Sequence, residues 1–138
     1  MPGKFYVSNK GVVVRDNEVL VLQCSKEGHY PKHWDFPGGR MEEDETLDEA
    51  LRRELLEELP GIRDMVIGAF LLTKTTRTFS DDTPMVVNYY RVEADVSDFS
   101  LSDEHDGFRW VKLGDIEQMK KEAELFPEDE AALRAALA

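Results

Sequence analysis

Carboxylate side chains are concentrated between residues 42 and 58. This stretch holds nine acidic residues and two basic ones, Arg52 and Arg53, and so contributes −7 to a formal net charge of −12. The acids are Glu42, Glu43, Asp44, Glu45, Asp48, Glu49, Glu54, Glu57 and Glu58. A solvated helix with ion pairs four residues apart would explain such a run without any chemistry. The position of the carboxylates on the helix distinguishes the two explanations. Carboxylates on the solvent face would indicate a solvated helix, and carboxylates on the packed face would indicate a chemical role.

The spacing predicts a helix over Thr46–Leu59 with three carboxylates on its packed side. Thr46 and Glu49 are spaced as a capping box, and Pro60 follows as a stop signal. Apolar residues recur at helical intervals, at Leu47, Leu51, Leu55 and Leu59. At about 100° per residue, Glu54 and Glu58 fall within or beside this stripe and Glu57 flanks the same side. We therefore expect the three carboxylates to converge where the helix meets the rest of the domain.

Three crowded, partly buried carboxylates require a cation among them. Without one they would repel each other and their pKa values would rise. Hard oxygen ligands suit Mg²⁺ or Mn²⁺ rather than zinc, and Mg²⁺ commonly completes its shell with phosphate oxygens. The Gly38-Gly39 pair before the helix lets backbone approach such a site closely. The pattern favours phosphoanhydride chemistry, in which a metal neutralises the phosphates and water attacks phosphorus.

Composition restricts the remaining classes of protein. The 138 residues, 41% of them hydrophobic, are expected to form a single domain over residues 1–138. The net charge of −12 repels phosphate backbones and anionic lipids, so neither duplex nucleic acid nor a membrane is an expected partner. The N-terminus lacks a signal-peptide pattern and no apolar run approaches the roughly 20 residues of a membrane span, which predicts a cytoplasmic protein. Cys24 is the single cysteine, which excludes an internal disulfide.

The order of predicted elements is typical of an α/β or α+β sandwich. Strands are predicted over Phe5–Val14 and Glu18–Cys24, joined by a hairpin at residues 15–17, and Ser25–Asp35 is predicted to be a loop. Further elements follow the acidic helix: strands over Met65–Thr75, Met85–Asp95 and Phe108–Val111, and helices over Asp115–Glu124 and Pro127–Leu137. The acidic helix is thus flanked on both sides by strands.

The acidic helix and its flanks resemble the signature box of the Nudix hydrolases. The matching pattern is Gly39, five residues, Glu45, seven residues, Arg53-Glu54-Leu55, one residue, then Glu57-Glu58. The sequence departs from the box by one extra residue at Pro60, which falls after the acids and affects the following loop more than the metal site. The resemblance implies an α/β/α sandwich with a mixed sheet, in which the box forms a loop–helix–loop.

The resemblance also implies roles for individual residues. Glu57 and Glu58 would be metal ligands, and Glu54 either a ligand or the base that orients water. Arg53 would pair with Glu45 and hold the box together, and a backbone carbonyl of Gly38 or Gly39 would join the metal shell. Glu104, six residues before Trp110, resembles a late-loop acid that serves as ligand or base, with Asp103, His105 and Asp106 as neighbouring alternatives.

Candidates for substrate binding come from the second half of the chain. Alternation along Met85–Asp95 places Asn88 and Tyr90 on one otherwise apolar face, where a polar residue suggests a pocket. Tyr90, Tyr89, Phe79 and Tyr6 are candidates for stacking on a base, with core packing as the alternative for each. Lys74, Arg77 and Arg91 are candidate phosphate clamps, with ordinary surface charges as their alternative.

Together these features predict a divalent-metal-dependent Nudix pyrophosphohydrolase. Its expected substrate is a nucleoside diphosphate linked to another group, foremost a small nucleotide such as a nucleoside triphosphate. Two alternatives stay open: removal of pyrophosphate from the 5′ end of RNA, and a nucleotide sensor without turnover. Similar proteins commonly form homodimers, but no apolar stripe in the sequence identifies an interface.

Overall fold

Seven strands and three helices make up the part of the chain that the computed structural model describes, residues 3–25, 33–78, 80–122 and 124–138. The strands are β1 (Tyr6–Arg15), β2 (Glu18–Cys24), β3 (Trp34–Asp35), β4 (Gly38–Arg40), β5 (Arg63–Arg77), β6 (Pro84–Asp95) and β7 (His105–Val111). The helices are α1 (Leu47–Glu58), α2 (Ile116–Lys121), preceded by a 3₁₀ turn over Leu113–Asp115, and α3 (Pro127–Leu137).

β1 organises a mixed sheet. It pairs in parallel with β6 and antiparallel with β2 and β4, and the strand order is β3-β2-β1-β6-β5, with β7 added to β2. The β1–β2 connection is the predicted hairpin, in which Asp16 and Asn17 have φ values of 50° and 63°. Positive φ at both central residues matches the right-handed twist of the flanking strands. This arrangement brings β4, and with it the Gly38-Gly39 pair, against the middle of β1.

Helices pack on both faces of the sheet and give the three layers. On one face Leu51 and Leu55 of α1 join a buried cluster with Val13 and Val92. On the other face α2 and α3 contribute Ile116, Met119, Ala132 and Leu133 to a second cluster that includes Val12 and Tyr89. Neighbouring residues of a strand point to opposite faces, so β1 and β6 supply both clusters. The fold is the predicted α/β/α sandwich with a mixed sheet.

Element bounds differ from the sequence predictions mainly at the ends. α1 begins at Leu47 with Thr46 as its N-cap, and Leu47 is 40% exposed, so the apolar stripe at the first turn is not core. β7 begins at His105 rather than at residue 108, because pairing with β2 continues to Cys24 past an irregularity at Gln23. β5 extends over Arg63–Arg77 because β6 pairs with its polar ends as well. The predicted loop over residues 25–35 lies mostly outside the described residues, and its last two residues form β3, because they pair with Leu22 and Gln23 of β2. No helix among the described residues is long and apolar enough to cross a membrane.

Candidate active site

The N-terminus of α1 is fixed by a complete capping box. The Thr46 Oγ1 accepts a hydrogen bond from the backbone N–H of Glu49 at 3.2 Å, and the Glu49 carboxylate accepts one from the N–H of Thr46 at 3.0 Å. Such a box satisfies two of the backbone donors that a helix start leaves unpaired. The start of α1 is therefore fixed by local hydrogen bonds.

Arg53 ties the loop before the helix to the helix itself. Its guanidinium donates to both oxygens of Glu45, at 2.5 and 2.9 Å, and to the backbone carbonyl of Arg40 at 3.2 Å. It also contacts Glu54 Oε1 at 3.1 Å and Glu57 Oε1 at 3.3 Å. The hydrogen bonds from Arg53, with a further one from the N–H of Glu42, lower the pKa of Glu45 to about 2. The structure thus joins the two residues that the resemblance assigns to holding the box together.

Glu58 is buried at the inner side of α1, with 6% of its surface exposed. Its Oε2 accepts a hydrogen bond from the backbone N–H of Gly38 at 3.3 Å. Burial raises the pKa of Glu58 to about 7, with further contributions from the charges of Glu54 and Glu104, while Lys10 acts in the opposite direction. A carboxylate in such surroundings gains from any cation that approaches it.

Glu54 lies directly over Gly39. A Cβ on Gly39 would stand 2.6 to 2.7 Å from the carboxylate atoms of Glu54, so only glycine leaves room for that side chain. The Glu54 side chain is 16% exposed, and its burial, together with Glu57 and Glu104, raises its pKa against the opposing effect of Arg53. Two carboxylates with raised pKa values, Glu54 and Glu58, thus meet the Gly38-Gly39 backbone.

The expected convergence of three helix carboxylates is only partly correct. Glu57 has 58% of its side chain exposed and is held by Arg53 four residues before it, outside the cleft that Glu54 and Glu58 line. The helical rotation of about 100° between Glu57 and Glu58 explains this, because it turns one outward when the other is buried. Among the described residues, no three acidic, histidine or cysteine side chains stand close enough to form a ready metal cage.

Glu104 joins the site through the connection after β6. The backbone N–H of Ser102 donates to the carbonyl of Glu58 at 3.1 Å, and the N–H of Ser100 donates to the carbonyl of Pro60 at 2.8 Å. These bonds anchor the loop to the end of α1 and place Glu104 on the wall of the same cleft as Glu54 and Glu58. Of its neighbours, His105 has a buried Nδ1 without a hydrogen-bond partner among the described residues, and its burial lowers its pKa. None of the three alternatives to Glu104 lines the cleft.

The extra residue at Pro60 is accommodated where the end of α1 packs against the connection after β6. Gly61 has a φ of +102°, and a Cβ there would collide with the backbone carbonyl of Asp98. A glycine is therefore needed one position later than in the Nudix pattern, and the insertion leaves the carboxylates of α1 in place.

The carboxylates border an open cleft of about 1090 Å³. Lys10 of β1 lies deep in it and donates to Asp35 at 3.1 Å and to the carbonyl of Phe36 at 3.4 Å. Burial alone would lower the pKa of Lys10, but Asp35 and Glu58 together raise it. This ammonium is charged and faces both the carboxylates of α1 and the rest of the cleft. No pattern in the sequence pointed to Lys10.

A second group of residues lines the cleft beside α3. Asp129, 2% exposed, accepts a hydrogen bond from the Tyr89 hydroxyl at 2.8 Å and faces Lys74 Nζ at 3.9 Å. Burial, together with Asp35, raises the pKa of Asp129 to about 6. Tyr89, a predicted candidate for stacking on a base, shares one face of β6 with Met85 and Val87, and all three line the cleft.

The predicted substrate-binding residues are only partly found there. Arg77 lines the cleft and donates to the carbonyl of Asp82 at 2.7 Å. Asn88 and Tyr90 do not line it, because their face of β6 is the one that α1 covers. Tyr90 borders a separate small cavity under the start of α1 and packs edge-on against Phe70. Phe79 lies outside the described residues.

Comparisons with known proteins assign this arrangement to a family. The NUDIX domain model matches residues 6–135. The nucleoside triphosphatase NudI of Escherichia fergusonii is 32% identical over 114 residues, which cover 72% of this chain and 76% of that protein. The 8-oxo-dGTP diphosphatase of Proteus vulgaris is 36% identical over 56 residues, which cover 41% of this chain and 50% of that protein. The match to the latter therefore spans about half of its length.

Solved structures share the fold over nearly the whole chain. The MutT NUDIX hydrolase from Burkholderia pseudomallei superimposes with a TM-score of 0.76 at 23% identity, covering 96% of this chain and 98% of that one. The chain belongs to the NUDIX family.

Proposed function

We propose that this chain hydrolyses a phosphoanhydride bond of a small nucleotide, foremost a nucleoside triphosphate, with Mg²⁺ or Mn²⁺ as cofactor. One observation carries the proposal: the buried carboxylate of Glu58 and the partly buried carboxylate of Glu54, both with raised pKa values, line one cleft together with Glu104 and the Gly38-Gly39 backbone. Carboxylate and carbonyl oxygens are the ligands that Mg²⁺ and Mn²⁺ prefer, and the crowding of negative charge favours cation binding.

The residues of the cleft divide the work. Glu54, Glu58 and a carbonyl of Gly38 or Gly39 would hold the cation, which supplies charge neutralisation for the phosphates and an activated water. The N–H of Gly38 orients Glu58, and Arg53 orients Glu54 from the solvent side. Glu104 would complete the set as ligand or base. Glu57 would become a metal ligand only if its carboxylate left the ion pair with Arg53. The Glu57→Gln variant tests whether Glu57 is a metal ligand.

The cations of the cleft support a polyphosphate substrate in an acidic protein. Lys10, Lys74 and Arg77 line the same cleft as the carboxylates, so a phosphate chain that reaches the cation also meets positive side chains. Lys74 Nζ lies over the rings of Tyr89 and Phe126, at 5.8 and 5.7 Å from their centroids. The names of two relatives support this substrate class. One is called a nucleoside triphosphatase, and the other is called an 8-oxo-dGTP diphosphatase, after an oxidised nucleoside triphosphate.

The test is a screen of phosphate and pyrophosphate release with Mg²⁺ present. Nucleoside triphosphates, 8-oxo-dGTP, nucleotide sugars, dinucleoside polyphosphates and 5′-triphosphorylated RNA are compared, with Glu58→Gln as the inactive blank. Glu43→Gln is the matched control, because it removes an exposed charge from the same acidic stretch. We expect release from a nucleoside triphosphate that Glu58→Gln lowers by several orders of magnitude and Glu43→Gln leaves unchanged.

Other outcomes would change the assignment. Release that continues in EDTA would contradict the metal-dependent reaction. Release from triphosphorylated RNA alone would replace the nucleotide by RNA as the substrate. Thermal stabilisation by a nucleotide without release from any substrate would favour the sensor.

A further inference from the structure

A row of polar side chains crosses the sheet beneath α1. Asn9 of β1 is the register partner of Asn88 on β6 and of Gly39 on β4, and Asn88 is the register partner of Thr73 on β5. Side chains of directly opposed residues share one face of a sheet. The face is the one that α1 covers, because a Cβ on Gly11, two residues after Asn9, would contact Leu55 at 3.2 Å.

Each residue of this row donates a hydrogen bond to the next, from Thr73 to Asn88 to Asn9. The Thr73 hydroxyl donates to Asn88 Oδ1 at 2.7 Å, and Asn88 Nδ2 donates to Asn9 Oδ1 at 3.2 Å. Asn9 is completely buried, and its Nδ2 has no hydrogen-bond partner among the described residues. A buried amide donor without an acceptor costs free energy, and native proteins rarely keep one without a use. The row therefore ends in a donor.

The next group along the row is an acceptor. Glu54 lies over Gly39, with its carboxylate atoms 2.6 to 2.7 Å from where a Cβ of Gly39 would be. The Cβ positions of directly opposed residues are about 4.5 to 5.5 Å apart, so the Asn9 amide and this carboxylate are neighbours on one face. A carboxylate is the strongest acceptor that an amide N–H can meet in a protein.

We propose that Asn9 is a positioning residue for the reaction: its Nδ2 donates a hydrogen bond to the Glu54 carboxylate in the working enzyme. Arg53 holds Glu54 Oε1 from the solvent side, and Asn9 holds the same carboxylate from the core side. Asn9 does not line the cleft, so it acts through Glu54 and not on the substrate. This inference rests on the proposed function, in which Glu54 is a ligand or the base.

Kinetics of the Asn9→Val variant test the proposal. We expect kcat to fall about 10- to 100-fold, as for loss of a hydrogen bond to a charged group, with KM within about twofold of the wild type. Asn9→Ser, which keeps a donor hydroxyl, recovers part of kcat. Val19→Ala is the matched control, because it removes volume from a buried strand position in the other core cluster and lowers stability without lowering kcat. Wild-type kcat in Asn9→Val overturns the proposal.

A spectroscopic measurement on the protein without substrate separates positioning from simple packing. The Nδ2 proton signals of Asn9 are identified by their loss in Asn9→Val and then followed during a Mg²⁺ titration. We expect them to move downfield as the backbone signal of Gly38 shifts. Asn9 signals that stay in place while Gly38 shifts overturn the proposal, whatever the kinetics show.

The controls distinguish failure of this inference from failure of the proposed function. If Asn9→Val keeps the wild-type kcat while Glu58→Gln is inactive, only the role of Asn9 is contradicted. An active Glu58→Gln, or a Mg²⁺ titration that leaves Gly38 unshifted, contradicts the metal site itself.

Discussion

Gly39 shows most directly how one residue type serves the site. Its missing side chain leaves the space that the Glu54 carboxylate occupies, and its strand partner Asn9 fills the adjacent position. Gly39 is the first residue of the match to the Nudix box, and the structure supplies a physical reason for a glycine at this position. The requirement is steric, since the structure gives no positive φ for Gly39, in contrast to Gly38.

Replacing Gly39 by alanine should therefore impair catalysis more than folding. The new Cβ pushes the Glu54 carboxylate aside, and a displacement of about 1 Å at a catalytic group costs on the order of 100-fold in rate. The measurement is kcat/KM with thermal denaturation alongside. Gly114→Ala is the control, because a Cβ there meets nothing within 4 Å. Equal kcat/KM in both variants would contradict the steric argument.

The buried Glu58 carboxyl should make stability depend on pH in the metal-free protein. Its folded pKa of about 7 lies above the ordinary value of 4.5, so the folded state binds the proton more tightly. The contribution is fully present below about pH 4.5 and is lost as pH rises through 7, by about 3 kcal/mol at most. Urea denaturation in EDTA at pH 5 and pH 8 measures it.

A matched pair of variants isolates that effect. Glu58→Gln should reduce the loss of stability between the two pH values, while Glu43→Gln should keep it. Asp129, whose pKa is raised to about 6, contributes with the same sign, so part of the slope remains in Glu58→Gln. If the loss of stability between pH 5 and pH 8 were the same in Glu58→Gln as in the wild type, the pKa of the Glu58 carboxyl would not be raised by folding.

At the scale of elements, local signals predicted α1 and the hairpin well. The capping box, the periodicity and the stop at Pro60 all act within a few residues, so they are readable without the fold. The side chains that line the cleft were harder to predict, because Asn88 and Tyr89 differ only in which face of β6 they occupy. That choice depends on α1 packing against one face, which no local pattern along β6 reveals. The placement of Lys10 in the cleft depends on the same choice of faces, because Lys10 follows Asn9 on β1 and so lies on the opposite face.

The capping box offers a prediction for α1 as a unit. Thr46→Ala removes the acceptor for the N–H of Glu49 and should cost about 1 kcal/mol, a fall of about 3 to 5 °C in Tm. Thr46→Ser keeps the acceptor and should keep the Tm. Because the carboxylates of α1 are fixed by its later turns, kcat at 25 °C should change little in either variant. Equal Tm values for the alanine and serine variants would mean that tertiary packing alone sets the helix start.

At the scale of the whole molecule, the proposed function requires a chain with a net charge of −12 to bind a polyanionic substrate. Its described cleft residues combine the carboxylates of Glu54, Glu58 and Glu104 with the cations of Lys10, Lys74 and Arg77. A divalent cation would make the electrostatic potential near the carboxylates positive instead of negative. Metal binding and substrate binding should therefore be coupled. That the 138 residues form a single domain and that the protein is cytoplasmic stay predictions.

This coupling predicts how activity depends on pH. Protons and the cation compete for Glu58, whose pKa is raised to about 7 in the metal-free protein. At limiting Mg²⁺, kcat/KM should therefore rise with pH through about 7, and higher Mg²⁺ should move the midpoint of that rise to lower pH. The measurement is kcat/KM from pH 5 to 9 at two Mg²⁺ concentrations below and above saturation. A midpoint that does not move with Mg²⁺ would assign the rise to a group other than a metal-binding carboxylate.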